Sequence, residues 1–380
     1  MYFTTQEKKE CCGCKACADS CPAQAMRYVS DAQGFWYPQI ETQLCIHCKQ
    51  CETVCTFNRI EESTDYSVYA AWSKEPALRD NSSSGGIFSL LAEQVLAAGG
   101  TVIGAAFGED FRVVHSLATT KEEAAAFRRS KYVQSDTAGI YSAAKALLEK
   151  GTAVLFSGTP CQIAGLKAYL KKEYEALICC EVLCYGVPSP QVYKAYLKHL
   201  EEKYHAKIKS INFKDKRYGW DYYTTAITFE NGKSHCEFGG DSYKTFMGKN
   251  WSIRPSCLEC RYSVNFSRAD ISLGDFYGVQ KYITEKEPKN GVSCVICRSE
   301  KARQLLEAVK EKLILSEVDS ERFARSENKQ PKKHDKAKRQ AFFDAFSTGG
   351  YAACEQLLEK KPLSERARSK LLAAHLARKK

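Results

Sequence analysis

Eight cysteines near the start of the chain have a spacing that suits iron-sulfur chemistry. Cys11, Cys14, Cys17 and Cys21, followed by Pro22, give C-x2-C-x2-C-x3-C-P, and Cys45, Cys48, Cys51 and Cys55 repeat the spacing with Thr56 in place of proline. A cuboidal 4Fe-4S cluster needs four thiolates; this spacing supplies three from one tight loop, while the fourth reaches the other cluster. The expected sets are Cys11, Cys14 and Cys17 with Cys55, and Cys45, Cys48 and Cys51 with Cys21. Structural zinc draws its ligands from separated pairs, so three successive cysteines, twice over, favour two clusters. Cys12 is an extra thiol that this template leaves as a bystander.

Other cysteines come later. Cys257 and Cys260 form a C-x2-C loop between Arg254-Pro255-Ser256 and Arg261-Tyr262-Ser263. Cys161 follows Ser157-Gly158-Thr159-Pro160 at a strand-to-helix junction, and Cys184 ends the next apolar strand. Carboxyl ends of neighbouring parallel strands share a crevice, so these four thiols are candidates for a third four-thiolate site. Cys161 as a redox-active thiol, activated by a helix N-terminus, is a separate reading. Cys179, Cys180, Cys236 and Cys354 read as small buried hydrophobes. Cys294 and Cys297 have the chelating interval, but in a strand residues three apart face opposite ways.

Ser82-Ser83-Ser84-Gly85-Gly86 leads into an apolar helix. Free amides, a helix dipole and glycines together favour a phosphate there, although an ordinary serine N-cap fits the sequence as well. No G-x-G-x-x-G occurs. The seven histidines form no H-x-x-H or H-E-x-x-H pattern, and His115 in an apolar strand reads as structural.

These groups need a scaffold. Strands are expected at Val68–Trp72, Thr101–Phe107, Arg112–Leu117, Thr152–Phe156 and Leu177–Leu183, alternating with helices at Gly86–Ala98, Lys121–Arg129 and Thr137–Leu148 and one starting at Cys161; this is α/β patterning. Antiparallel strands follow from about Ile208 to Gly240, turning at Asn231-Gly232, then buried strands Asp270–Leu273 and Val292–Cys297 and a basic helical tail broken at Pro331 and Pro362. The division is a ferredoxin-type module at 1–60, an α/β body with an antiparallel insertion at 66–320, and a basic extension at 321–380.

Net charge is +11, and residues 331–380 hold thirteen Lys or Arg against five Asp or Glu. Nineteen cysteines in so long a chain argue for metals in a reducing compartment rather than a disulfide scaffold. There is neither an apolar run long enough to span a membrane nor a signal-peptide pattern at the start, so a cytoplasmic protein is expected. The stretch Lys332-Lys333-His334-Asp335-Lys336-Ala337-Lys338-Arg339 reads by default as a solvated helical face, whose charge would attract an acidic surface such as a partner ferredoxin, with nucleic acid the less favoured partner. Tyr218-Gly219-Trp220-Asp221-Tyr222-Tyr223, beside Lys214, Lys216 and Arg217, fits sheet packing or a pocket for an anionic substrate.

Several ordered motifs carry a resemblance. They are Ser83-Ser84-Gly85-Gly86, Ser130-Lys131-Tyr132-Val133-Gln134-Ser135, Phe156-Ser157-Gly158-Thr159-Pro160-Cys161-Gln162, Cys184-Tyr185-Gly186-Val187-Pro188, Arg254-Pro255-Ser256-Cys257-x-x-Cys260, Asp270-Ile271-Ser272-Leu273-Gly274-Asp275-Phe276 and Arg339-Gln340-Ala341-Phe342-Phe343. Together they resemble the coenzyme F420 hydrogenase and dehydrogenase beta-subunit family, in its bacterial branch with a fused two-cluster ferredoxin domain. The resemblance implies a flavin-binding α/β domain with FAD beside a 4Fe-4S cluster. It implies FAD phosphate at Ser83, Ser84, Gly85 and Gly86, flavin neighbours Lys131 and Tyr132, and a crevice lined by Thr159, Gly274 and Asp275. It also matches Cys161, Cys184, Cys257 and Cys260 to the family's own cluster. Tyr185 stands where many relatives have His after the cysteine. The expected function is an iron-sulfur flavoprotein oxidoreductase linking a ferredoxin-like or deazaflavin donor to an organic substrate, sugar-linked on a weak resemblance. The other readings are an electron-transfer subunit of a larger redox complex without its own substrate and, lower, an iron-sulfur nucleic-acid-binding or regulatory protein; the expected assembly is a homo-oligomer or a redox complex.

Overall fold

A computed structural model of the chain describes residues 1–58, 65–262, 266–284, 290–326, 334–359 and 371–372. Its strands are β1 (Met26–Ser30), β2 (Trp36–Ile40), β3 (Ser67–Ser73), β4 (Thr101–Phe107), β5 (Val113–Ala118), β6 (Val154–Gly158), β7 (Leu177–Val182), β8 (Ile208–Asp215), β9 (Thr224–Phe229), β10 (Ser234–Glu237), β11 (Ile271–Asp275), β12 (Ser293–Cys297) and β13 (Leu313–Val318). Eight of them form one mixed sheet in the order β13-β3-β12-β11-β7-β6-β4-β5. Its middle, β4, β6, β7 and β11, is parallel, whereas β5 on one side and β12, β3 and β13 on the other pair antiparallel.

Alternation decides what each face buries. Val102, Leu155 and Cys180 point to the side covered by helices Ile87–Ala97 and Glu300–Ala308. Ile103, Phe156 and Cys179 point to the other side, under helices Ile140–Glu149 and Pro160–Leu170. Each fully buried large side chain in these layers contributes about 1.5–3 kcal/mol relative to exposure. Cys294 and Cys297 fall in different cores, as their interval requires. Cys354 is buried, while Cys236 is only partly so.

The antiparallel insertion is the sheet β10-β9-β8, turned at Gly232 with φ of 80°. Residues 1–58 carry the hairpin β1-β2 and pack against the body. Ala16, Cys17 and Val54 share a core with Tyr141, Phe156, Ile163 and Leu166. Tyr2, Phe35 and Tyr37 share another with Tyr193, Tyr243, Phe342 and Phe343.

The expected basic tail is partly a clasp. In helix Lys336–Glu355 the residues Arg339, Phe342, Phe343 and Tyr351 are buried, and the Arg339 guanidinium donates to Gln33 Oε1 (2.8 Å) and the Ile253 carbonyl (3.1 Å). Lys336 and Lys338 are exposed. Pro331, Lys332, Lys333 and Pro362, and the end of the expected module at residues 59–60, lie outside the described residues. Among the described residues no helix is long and apolar enough to cross a membrane.

Candidate redox centre

A cavity of about 740 Å³ opens at the carboxyl ends of β6, β7 and β11, where ligands of α/β sheets gather. Ser83, Ser84, Gly86, Lys131, Tyr132, Thr159, Gly274 and Asp275 line it, as does Cys184. Gly85 lies behind the wall: a Cβ there would stand 2.4 Å from the Ala71 carbonyl oxygen, so the loop reaches the sheet only with glycine.

The three serines do not cap the helix that follows. Ser82 Oγ donates to the Leu78 carbonyl (2.7 Å), Ser84 Oγ donates to the Val292 carbonyl (2.6 Å), and Ser83 Oγ accepts the Ser130 amide (2.8 Å). Lys216 Nζ ties the same loop down through the carbonyls of Arg79 (2.6 Å), Ser84 (2.8 Å) and Asn290 (2.7 Å). The N-cap is therefore Gly86, at φ of 88° and without a side-chain cap, and Gly86, Ile87, Phe88 and Ser89 face the cavity. An uncapped helix N-terminus suits an anion such as phosphate. Arg128, Arg129 and Lys131 stand at the same end; burial and the neighbouring Arg129 charge push the Lys131 ammonium down to about 7.

One wall is set by a relay of hydrogen bonds. Gln162 Nε2 donates to Ser135 Oγ (2.8 Å), Ser135 lies 3.0 Å from His115 Nδ1, and His115 Nε2 lies 3.0 Å from the Ser157 carbonyl. A carbonyl only accepts, so Nε2 carries the proton and Nδ1 accepts from Ser135. Desolvation lowers the imidazole to about 4, leaving it neutral and structural.

The other end is aromatic and cationic. Tyr185, Tyr223, Tyr277 and Lys244 line it, and Trp220 stacks on Tyr277 at 4.8 Å. Both readings of the aromatic segment thus hold for different residues: Trp220 is buried packing, whereas Tyr223 faces the cavity. Lys214 Nζ donates to Asp275 Oδ2 (2.7 Å), and Asp275 Oδ1 is buried with no hydrogen-bond partner among the described residues. Lys244 donates to the Tyr223 carbonyl, and burial lowers its ammonium to about 7. Sequence reasoning missed Lys244; it quoted Gln162 only within a motif, and it named Lys214 and Asp275 separately but not as a pair.

Two cysteines, Cys180 and Cys184, line this cavity. Cys17 lies within electrostatic reach of Cys11, Cys55 and Cys51, and Cys51 within reach of Cys21. Burial pushes the Cys55 thiol up to about 11 and raises Cys17 further, although Tyr28 Oη stands 3.1 Å from Cys17 Sγ. Cys12, set aside as a bystander by the spacing, lies within electrostatic reach of both Cys14 and Cys161. Cys161 feels Cys184 and has its Sγ 3.2 Å from Thr159 Oγ1. Cys257 is within reach of Arg254; Cys260 is exposed, its thiol 3.7 Å from the Tyr262 carbonyl. No three His, Cys, Asp or Glu side chains among the described residues gather as tightly as a single metal ion requires, but a cuboidal cluster spreads its thiolates over its corners. A soft, all-thiolate donor set with burial and nearby hydrogen-bond donors fits iron-sulfur clusters.

Three family models match the sequence. A 4Fe-4S dicluster domain model matches residues 10–58. Models of the coenzyme F420 hydrogenase/dehydrogenase beta subunit match at residues 68–141 for its N-terminal part and 151–322 for its C-terminal part. No curated protein matches the sequence. Among solved structures, a chain of the xenon-derivatised F420-reducing NiFe hydrogenase complex from Methanosarcina barkeri aligns at 16% identity and a TM-score of 0.46, over 78% of this chain and 91% of that one. With its two beta-subunit regions in order behind a 4Fe-4S dicluster domain, the chain belongs to the coenzyme F420 hydrogenase/dehydrogenase beta-subunit family.

Proposed function

We propose that this iron-sulfur redox protein is a flavoprotein oxidoreductase that passes electrons between a ferredoxin-like partner and FAD, with an organic substrate at the tyrosine end of the cavity. The observation that carries the reading is the contact of Cys12 with both Cys14 and Cys161, which connects the N-terminal cysteines to the cavity bearing Cys184. When bound, the clusters supply one-electron steps and the flavin supplies exchange between one and two electrons.

The residues have distinct tasks on this reading. Gly86 to Phe88 offer backbone amides to phosphate, with Arg128, Arg129 and Lys131 adding positive charge. The volume is of the size of cofactor sites. Asp275 Oδ1, without a partner among the described residues, can accept an N–H or O–H from the ligand, and Tyr132 and the His115 relay form part of the wall. Leu44, Ile46 and Cys48 are exposed on the outer cysteine loop, with Ile46 at 64%; an apolar patch over a cluster suits transient docking of a small electron carrier.

Anaerobic purification with metal and flavin analysis tests the proposal. About twelve irons per chain and one FAD are expected if three four-iron clusters form; about eight irons without flavin would sink both the third site and the flavin reading. The family is named for a subunit, which favours a second reading as an electron-transfer subunit without its own substrate. A purified chain that turns over a small molecule with reduced ferredoxin or deazaflavin argues against that second reading.

A further inference from the structure

Arg254 has no exposed surface, yet no carboxylate among the described residues takes its charge. Its guanidinium donates from Nε to the Cys11 carbonyl (2.7 Å), from Nη1 to Gln134 Oε1 (3.1 Å), and from Nη2 to the Trp36 carbonyl (2.8 Å) and Cys11 Sγ (3.5 Å). The Tyr37 ring lies 4.3 Å below it. Besides Tyr37, the groups whose charge it feels most are Cys11, Cys12 and Cys257. Its backbone links the later cysteines: its amide donates to the Val187 carbonyl (2.9 Å), three residues beyond Cys184, and its carbonyl accepts the Cys257 amide (2.9 Å).

A buried cation without an anion is costly, several kcal/mol even after relaxation. The neutral acceptors satisfy the N–H groups but leave the charge uncompensated. An all-thiolate cluster is anionic, and the thiol nearest the guanidinium is an expected cluster ligand. We propose that Arg254 is the counter-charge of the cluster held by Cys11 and holds that cluster's reduction potential above that of the cluster on Cys45, Cys48 and Cys51. A cation and an N–H···S bond both favour the more negative, reduced state. The outer half has amide donors but no such cation: the Ala25 amide donates to Cys21 Sγ (3.2 Å), and the charges that bear most on Cys51 are those of Glu52 and Cys21. Arg254 is a positioning residue, and the inference rests on the cluster reading given above.

Redox titration of the reduced clusters by electron paramagnetic resonance tests it, with iron measured on each sample. Arg254→Met should move the midpoint of one N-terminal cluster to more negative potential and leave the other in place; Arg254→Lys, which keeps the charge, should restore most of the shift. Gln134→Glu puts a carboxylate against the intact guanidinium and should shift the same midpoint in the same direction, which keeps the test open if Arg254→Met loses iron. Unshifted midpoints in iron-replete variants, or equal shifts of both clusters, overturn the inference. Wild-type protein with no N-terminal cluster signal overturns the cluster reading as well.

Discussion

Lys15 and Lys49 occupy the same place in the two cysteine halves, one residue past the second cysteine, and both hold a left-handed backbone, at φ of 64° and 57°. Lys15 is buried, with Nζ 2.6 Å from Asp136, whereas Lys49 is exposed. The contrast runs through the whole repeat. Gly13 and His47 share the left-handed conformation, but Gly13 packs under Gln134 and Arg254 while His47 faces solvent. Cys12 meets Cys161; its counterpart Ile46 is 64% exposed. Spacing and backbone therefore fix which atoms can ligate. Docking against the body sets the dielectric, the donors and the access that tell an inner half from an outer one.

Removing a ligand from each half tests this contrast at its largest. Cys14→Ala should cost iron and folded protein together, because its neighbours Tyr141 and Gly165 belong to the body. Cys48→Ala should lose about four irons with the body's thermal unfolding unchanged. Equal damage from both, by iron assay and calorimetry, would break the distinction. Next in size, Lys15→Met strands the partly buried Asp136 and should destabilise by about 3 kcal/mol. Lys49→Met should stay within about 0.5 kcal/mol, and chemical denaturation compares the pair.

Buried lysines also differ from exposed ones in titration. Lys131 and Lys244 are held down at about 7, so they are neutral above that pH and cationic below it. Anion binding then takes up protons. Flavin affinity should weaken as pH rises through 7, by up to roughly tenfold per unit for one proton taken up, and Lys131→Met should flatten the profile. A wild-type affinity constant from pH 6 to 9, in a fluorescence titration, contradicts it. Smallest of all, His47→Gly relieves a left-handed residue in the outer loop and should gain no more than about 1 kcal/mol, readable as a slight rise in midpoint temperature.

Much of the scaffold was legible. Thr101–Phe107 is observed as expected, bounded by Gly99-Gly100, and Asn231-Gly232 does turn the β9-β10 hairpin. The expected helix Lys121–Arg129 stops at Ala125 because Phe127 turns into the core beneath Gly104, a tertiary demand that local propensity does not carry. β13 and the helix Pro190–Tyr204 went unread. Among the site residues, motif order led to the cavity wall, Gly85 excepted. Cys12 was read as a bystander and Arg254 quoted without a role for one reason: their contacts lie far along the chain, at Cys161 for the first and Cys11 for the second.

The bond from Arg339 to Gln33 spans 306 positions. A chain emerging from its N-terminus displays all eight module cysteines long before that guanidinium exists, so the contact at Gln33 closes after the one that buries Cys17 against Tyr141 and Leu166. The junction between module and body is therefore completed in two stages, and the last described long helix supplies the second. Truncation of that helix removes the partner of Gln33 and the aromatic cover of Tyr2, Phe35 and Tyr37, while the contacts of Cys14 and Cys17 lie elsewhere in the body.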